Sequence, residues 1–439
     1  MEQTGSVREF ARYTLLSVAG MLALSCYILA DTFFVSQSLG TNGLAALNLA
    51  IPVYNFIHGT GLMLGMGGAT RYSICKSRGG HREADEMFTN TLYMAAGFCV
   101  LFVGLGLFFS ENLAVILGAD QEVLAMSNTY MKVLLLFSPA FILNDIFVCF
   151  VRNDGNPQLS MAATAGGSLS NIVLDYVFMF PMKMGIFGAV LATGLAPVIG
   201  IAIMAPHWLK ASKGFHAVKT GLGAVHVKNN LALGFPSLLA QMSSGIVIIV
   251  FNGIILRLTG NTGVAAYGVV ANISLVIAAV YTGIAQGIQP LVSREYGRNN
   301  KRTQRSYLVW AVGSMAVLSC ILYAGIFLGA DPIAGIFNSE NNSELQEIAV
   351  KGLKLYFTAS LFMGYNIILS TYFTSVEMVI PAHVVSLLRG LILIIPAALM
   401  MSGLWGMTGV WLAFPVTEGI TAHFVDLLCS VYPPARAIL

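Results

Sequence analysis

Charge is what this sequence has least of. Asp, Glu, Lys and Arg make up only 10% of its 439 residues, against about 25% in an average soluble domain. A chain of this size cannot cover a water-facing surface with so few charges. That excludes a soluble enzyme, a disordered chain and a nucleic-acid binder. The formal net charge of +3 is too small to call for an acidic partner. The six cysteines have no CxxC spacing and sit in or beside apolar runs, so they read as small packing residues rather than redox or metal ligands. The chain has no GxxxxGK[ST] phosphate loop and no HExxH, and no enzyme activity, cofactor or structural metal is expected. The glycines of GTGLMLGMGG, Gly59 to Gly68, lie mid-helix and not after a strand, so they form a small-residue packing face.

What is abundant is apolar surface: 56% of residues are hydrophobic and the mean hydropathy is +0.77. Twelve segments are long enough to cross a bilayer, which takes about 20 apolar residues. They are 13–39, 44–73, 88–110, 123–150, 158–181, 186–208, 230–257, 264–292, 306–329, 349–374, 380–402 and 406–430. The short alternating segments of a β-barrel are missing. The charged N-terminus leads into an apolar run too long for a cleavable signal, so the first segment is expected to be a retained span.

Basic residues set the orientation. Twelve spans put both termini on one side, and that side receives seventeen of the 23 Lys and Arg, from Arg8 and Arg12 to Arg436. The other side receives Lys132, Lys183, Arg257, Lys351 and Lys354, together with acids such as Glu111, Asp120, Asp331 and Glu340. The basic side, with both termini, is therefore expected to be the cytoplasm.

The chain also repeats itself. NGLAAL (Asn42 to Leu47) aligns with TGVAAY (Thr262 to Tyr267) at an offset of 220, which also places Gly67 on Gly287, Arg78 on Arg298 and Arg82 on Arg302. GIFGAVLA (Gly185 to Ala192) aligns with GMTGVWLA (Gly406 to Ala413) at 221. Between the repeats lies the longest polar stretch, Lys210 to Asn230. The expected organisation is a six-helix lobe at 1–208, a cytoplasmic linker at 209–229 and a second six-helix lobe at 230–439. Repeats with an even number of spans run parallel, an arrangement typical of alternating-access transporters.

Ionisable residues inside spans mark the candidate sites, because each costs at least ~2.5–3.5 kcal/mol to insert. Asp31 and Asp175 each lie about 18 residues above the expected cytoplasmic start of their spans, which is ~27 Å or a little less at 1.5 Å per residue. Asn171 is one turn below Asp175 on the same face, and Thr193 shares that outer slab. Two carboxylates, an amide and a hydroxyl at one depth suit a proton or a hard cation. The competing reading is helix packing with local hydrogen bonds. In the second half Arg389 and Glu418 lie mid-span, either paired or snorkelling separately. His58, Gln241, Gln286, Gln289 and Asn366 are uncharged polar candidates for a substrate cavity. Asp145 and Asp426 lie near cytoplasmic ends and are expected to reach water.

With these residues in place, the chain resembles the multidrug and toxic compound extrusion (MATE) transporters, a branch of a superfamily that includes polysaccharide and lipid flippases. The matching stretches are YILADTFFVSQSLGTNGLAAL, NIVLDYVF, GIFGAVLATG, QGIQPLVSREYG and GVWLAFPVTE. They run in order along essentially the whole chain, and GIAQGIQPLVSREYG looks most like a bacterial drug-efflux branch. The resemblance implies an all-α, twelve-helix membrane protein of two pseudo-symmetric six-helix lobes, and a coupling-cation site at Asp31, Asn171, Asp175 and Thr193. It implies a substrate cavity between lobes near His58, Gln241 and Gln286. It also implies export of amphipathic cationic organic compounds in exchange for H⁺ or Na⁺, by a monomer in the bacterial inner membrane. The alternative is a lipid or glycan-lipid flippase, which would need intramembrane bases; Arg389 is the chief one. The sequence departs from the family at Leu16, where many relatives have proline, and in PSLLAQMSSG, which lacks the glutamate some relatives carry in helix 7.

Overall fold

The protein is described here by a computed structural model covering residues 6–208, 214–338 and 342–431. Part of the expected linker, 209–213, lies outside these residues, as do the orientation charges Lys210, Lys213, Glu340 and Arg436. Among the described residues every regular element is helical. Each of the twelve apolar segments falls on helix, and they are numbered here as spans 1–12.

Spans 1 and 2 form one run, Val7–Ser77, broken at Gly40. Span 3 is His81–Phe108. Span 4 joins Leu124–Leu136 to Ser138–Asn153 with a 47° bend. Spans 5 and 6 are Pro157–Met179 and Gly185–Trp208. Spans 7 and 8 repeat the opening run as Ala224–Gly297, broken at Gly260. Span 9 is Lys301–Phe337, and span 10 joins Ser343–Tyr356 to Ser360–Ser375. Spans 11 and 12 run from Val379 to Val431, with a π-helical turn at Leu388–Ile392 and a break at Gly406.

The sequence repeat reappears in the backbone. Gly40 (φ 62°, ψ −150°) and Gly260 (φ 64°, ψ −154°) break their runs in nearly the same way, 220 residues apart. Gly185 (φ 60°) and Gly406 (φ 56°) do so 221 residues apart. Only glycine enters this region without steric cost, so these four positions punctuate both halves alike. Spans 3 and 9 also correspond: each turns large apolar side chains outward, Val100 and Phe108 in one and Val317 and Leu328 in the other.

Buried apolar side chains form two clusters. One gathers Phe88, Phe102, Tyr130 and Phe150 from the first half. The other gathers Tyr267, Tyr281, Phe373 and Trp411 from the second. Two helix ends cross over. Phe10 and Tyr13 of span 1 belong to the second cluster, and Leu231 and Leu238 of span 7 pack on the first.

The crossing is possible because the backbones nearly touch. A Cβ on Gly234 would lie 1.8 Å from Met63 O, and one on Gly67 would lie 2.1 Å from Asn230 O. At the repeat positions, a Cβ on Gly287 would meet Thr14 Cα at 2.7 Å and one on Gly283 would meet Val18 Cα at 2.5 Å. Span 2 thus packs on span 7 as span 8 packs on span 1. The contacts lie about ten residues, roughly 15 Å, from the basic ends of these helices.

Two expectations shift. The polar stretch after span 6 is not simply a linker, because helix begins at Ala224, inside 209–229. Ahead of it Phe215, only 1% exposed, stands 4.5 Å (ring centroids) from Phe88. The backbone N–H groups of His216, Val218 and Gly223 donate to Asp85, Thr89 and Asn90 of span 3. One aromatic ring and three matched acceptors hold a segment whose composition reads as solvated. Asp145 is 7% exposed rather than in water, because it meets His58 Nδ1 at 2.8 Å.

Gly234→Ala should lower the thermal unfolding midpoint, with an overpacking cost of about 1–3 kcal/mol. Gly97, whose Cβ would meet nothing within 4 Å, is the comparison site: Gly97→Ala should leave the midpoint unchanged or raise it.

Candidate functional site

Asp31, Asn171, Asp175 and Thr193 are all buried, Asn171 and Asp175 completely. With its amide oriented to satisfy both ends, Asn171 donates to Asp175 Oδ2 at 3.0 Å and accepts from the Thr193 backbone N–H at 3.2 Å. The Thr193 hydroxyl donates to Ala189 O at 3.0 Å. Asp31 Oδ1 and Asp175 Oδ1 have no hydrogen-bond partner among the described residues. The two carboxylates are near enough to repel each other. With the Asn171 oxygen taken by the Thr193 N–H, the two unsatisfied carboxylate oxygens are the groups that fit a proton or a sodium ion, either of which relieves that repulsion.

Two tyrosines join this group that depth alone did not single out. Tyr130 of span 4 lies beside Thr193 and within electrostatic reach of both carboxylates. The Tyr27 hydroxyl is 2.7 Å from that of Tyr54. Tyr27 stands one turn from Asp31, a spacing visible in the sequence; Tyr130 has no such signal. Span 1 is helical through Leu16 and breaks only at Gly40.

The uncharged polar candidates do not converge. His58 and Gln286 line one cavity of about 60 Å³. Gln241 lies against Gly59 of span 2. Asn366 is elsewhere, fully buried in the second half, donating to Glu418 Oε2 at 2.7 Å and to Glu418 O at 2.9 Å. Arg389 and Glu418 form an ion pair at 2.8 Å, and Glu418 is 1% exposed. Arg389 sits in the π-helical turn, whose extra residue per turn resets the face it presents. A larger cavity, about 630 Å³, opens at the break between spans 1 and 2, beside Thr41, Asn42, Asn48, Asp120 and Ile249 of span 7.

At the basic ends, polar bonds tie the halves together. Arg294 Nη1 and Nη2 donate to the two Glu9 oxygens at 2.8 and 2.9 Å, and Tyr307 donates to Glu9 at 3.0 Å. Arg71 pairs with Glu377. Arg152 donates to Gln286 at 2.8 Å, and Gln289 bridges Thr70 and Asn153. The hydrogen bond from Arg294 holds the Glu9 carboxyl below its usual range, against the opposing pull of burial. Within the first half, burial pushes Asp154 up, but hydrogen bonds from His207, Lys76 and Tyr72 outweigh it and leave it lowered.

Two outcomes are expected. Glu418→Gln strands the Arg389 charge and should cost about 3–5 kcal/mol, while Arg389→Met with Glu418→Leu should be nearly neutral; thermal unfolding of the purified protein measures both. The Glu9–Arg294 contribution should be fully present above the ordinary glutamate value of about 4.3 and lost as pH falls through the lowered one. An acid titration of the unfolding midpoint should therefore be flatter in Glu9→Gln.

Comparison with known proteins agrees with this architecture. The multidrug export protein MepA of Staphylococcus saprophyticus is 23% identical over 426 residues, covering 96% of this chain and 93% of the relative. MepA of Staphylococcus aureus is 24% identical over 428 residues, with the same coverage. An outward-facing multidrug resistance MATE family transporter superimposes with a TM-score of 0.91 at 22% identity, covering 98% of this chain and 96% of that one. A transporter of the same superfamily from Pyrococcus furiosus gives 0.90 at 23% identity, with the same coverage. The sequence matches the MatE family over residues 17–177 and 236–400, and the chain belongs to that family of membrane transporters.

Proposed function

We propose that this protein is a cation-coupled antiporter that exports amphipathic, cationic organic compounds by alternating access between its two six-helix halves, 1–208 and 230–439. Support for a drug-like load comes from the names of its MepA relatives and from the outer cavity. Its volume of about 630 Å³ is within the range of small-molecule sites. The carrying observation for coupling is the pair of unpartnered oxygens on Asp31 and Asp175, buried together in a membrane transporter.

The ion acts as a third party between two repelling carboxylates. Loading stabilises the arrangement that brings them together; release favours the one that separates them. The shift is limited by the ion's differential affinity for the two arrangements. One H⁺ or Na⁺ entering down 100 mV supplies ~2.3 kcal/mol, enough to hold roughly a 50-fold gradient of a neutral load. The flippase alternative is weakened because Arg389, the base it would use on a phosphate headgroup, is already paired with Glu418.

Asp31→Asn and Asp175→Asn should each abolish gradient-driven drug transport in proteoliposomes while substrate binding to the purified protein persists. Imposed pH and sodium gradients, applied separately, identify the ion. Wild-type pumping by both variants would assign the two acids to packing.

A further inference from the structure

The His58–Asp145 pair lies apart from the Asp31–Asp175 group and is not needed for the reading above. His58 of span 2 and Asp145 of span 4 line the cavity of about 60 Å³, large enough for a few water molecules. Arg152, seven residues and two helical turns beyond Asp145, lines the same cavity. Arg152 is 3% exposed. Its Nη1 donates to Gln286 of span 8, and its Nη2 reaches only the sulfurs of Met66 and Cys149. Its Nε has no partner, and among the described residues no carboxylate pairs with it. A buried guanidinium held by one neutral amide and two sulfurs is an undercompensated charge. The carboxylate nearest to hand on its own face, Asp145, is engaged by His58.

We propose that His58 and Asp145 form a proton-binding pair that latches the cytoplasmic side shut through the bond from Arg152 to Gln286. With His58 protonated, the imidazolium neutralises Asp145, and Arg152 is left to bridge the two halves. When His58 releases its proton to the cavity, Asp145 becomes an unmatched anion in a poorly solvated space. It then draws the guanidinium off Gln286, and the bridge between spans 4 and 8 opens. The other titratable or charged groups facing the site are few. Span 2 contributes Tyr54, stacked on His58 at 5.7 Å (ring centroids). Span 1 contributes Tyr27 through Tyr54, Tyr13 beside Arg152, and Asp31 within electrostatic reach of Tyr54. Span 4 contributes Cys149. Spans 5, 7 and 8 present only neutral groups there, among them Ser160, Gln241 and Gln286. Asp154, two residues beyond Arg152 and within electrostatic reach of Tyr13, is held by Lys76, His207 and Tyr72, so among the described residues no unengaged carboxylate is placed to take over Asp145's role. The inference rests on alternating access as proposed above, but not on Asp31 and Asp175 as the coupling site.

The test uses the full-length protein in nanodiscs, with spin-labelled non-natural residues at the exposed positions Arg82 and Arg302, which leaves the native cysteines untouched. The short-distance, closed population should fall about threefold or more between about pH 5.5 and about pH 8.5. His58→Gln should give the long distance at every pH, and Asp145→Asn the short distance at every pH. Opposite shifts from the two members of one pair are what mere damage would not produce. Gln286→Leu, which leaves both titrating groups in place, should give the long distance throughout and decides the matter if either pair variant fails to elute as a single folded species. Asp31→Asn removes the coupling pair's own response to pH and should still close near about pH 5.5 and open near about pH 8.5; a normal latch with normal pumping in that variant would overturn only the coupling assignment. The latch is overturned by a wild-type distance that ignores pH, by Gln286→Leu behaving as wild type, or by His58→Gln and Asp145→Asn shifting together.

Discussion

An ionised side chain inside a bilayer must find a counter-charge, a proton or water, because leaving it bare costs more than most single contacts return. That constraint organises the interior of this protein. Glu418 finds Arg389 and Asn366. Asp145 finds His58. Asp31 and Asp175 find each other's company, and each keeps one carboxylate oxygen without a hydrogen-bond partner among the described residues. The first arrangement is closed within the chain, and the second is matched only while His58 holds a proton. The third is complete only with something from outside, which sets both acid sites of the first half apart from the internal strut at Glu418.

The two halves share a scaffold and differ in chemistry. Breaks at Gly40 and Gly260 and close approaches at Gly67 and Gly287 recur at one offset. Yet the acids of the first half have no matching acids in the second. At the repeat offset Asp31 falls on Phe251, and Asp175 on Pro396. Backbone geometry is copied because every helix pair must still fit. Side-chain chemistry is free to diverge wherever the packing volume can be made up.

The fold was legible because its determinants are local or repetitive: apolar run length, basic flanks and glycines at constant spacing. The Asp31, Asn171, Asp175 and Thr193 group was legible because depth in a membrane can be counted along a helix. Depth does not give azimuth. Asn366 has the right height for a central cavity but points to Glu418, and Asp145 has the height to reach water but faces His58. Tyr130 escaped notice for the same reason, since nothing in its neighbourhood along the chain aims it at Thr193. Phe215 was missed because one aromatic ring in a polar stretch carries no periodicity, although it fills a pocket among Phe88, Phe147 and Phe150.

Span 1 belongs to two bodies at once. Its end away from the basic face carries Asp31 into the first half, while Tyr13 and Phe10, roughly 27 and 32 Å away at helical rise, are seated in the core of the second. Between them runs unbroken helix, with Leu16 where a proline would have supplied a joint. Such a helix behaves as a stiff rod pinned at both ends. With Thr14 resting on Gly287 as the fulcrum, Asp31 rides the long arm and Tyr13 and Phe10 the short one, so a swing at Asp31 reaches the core of the second half as a small, levered displacement. Rotation of one half against the other then needs no bending anywhere in the rod, only rolling at a contact between two bare stretches of backbone.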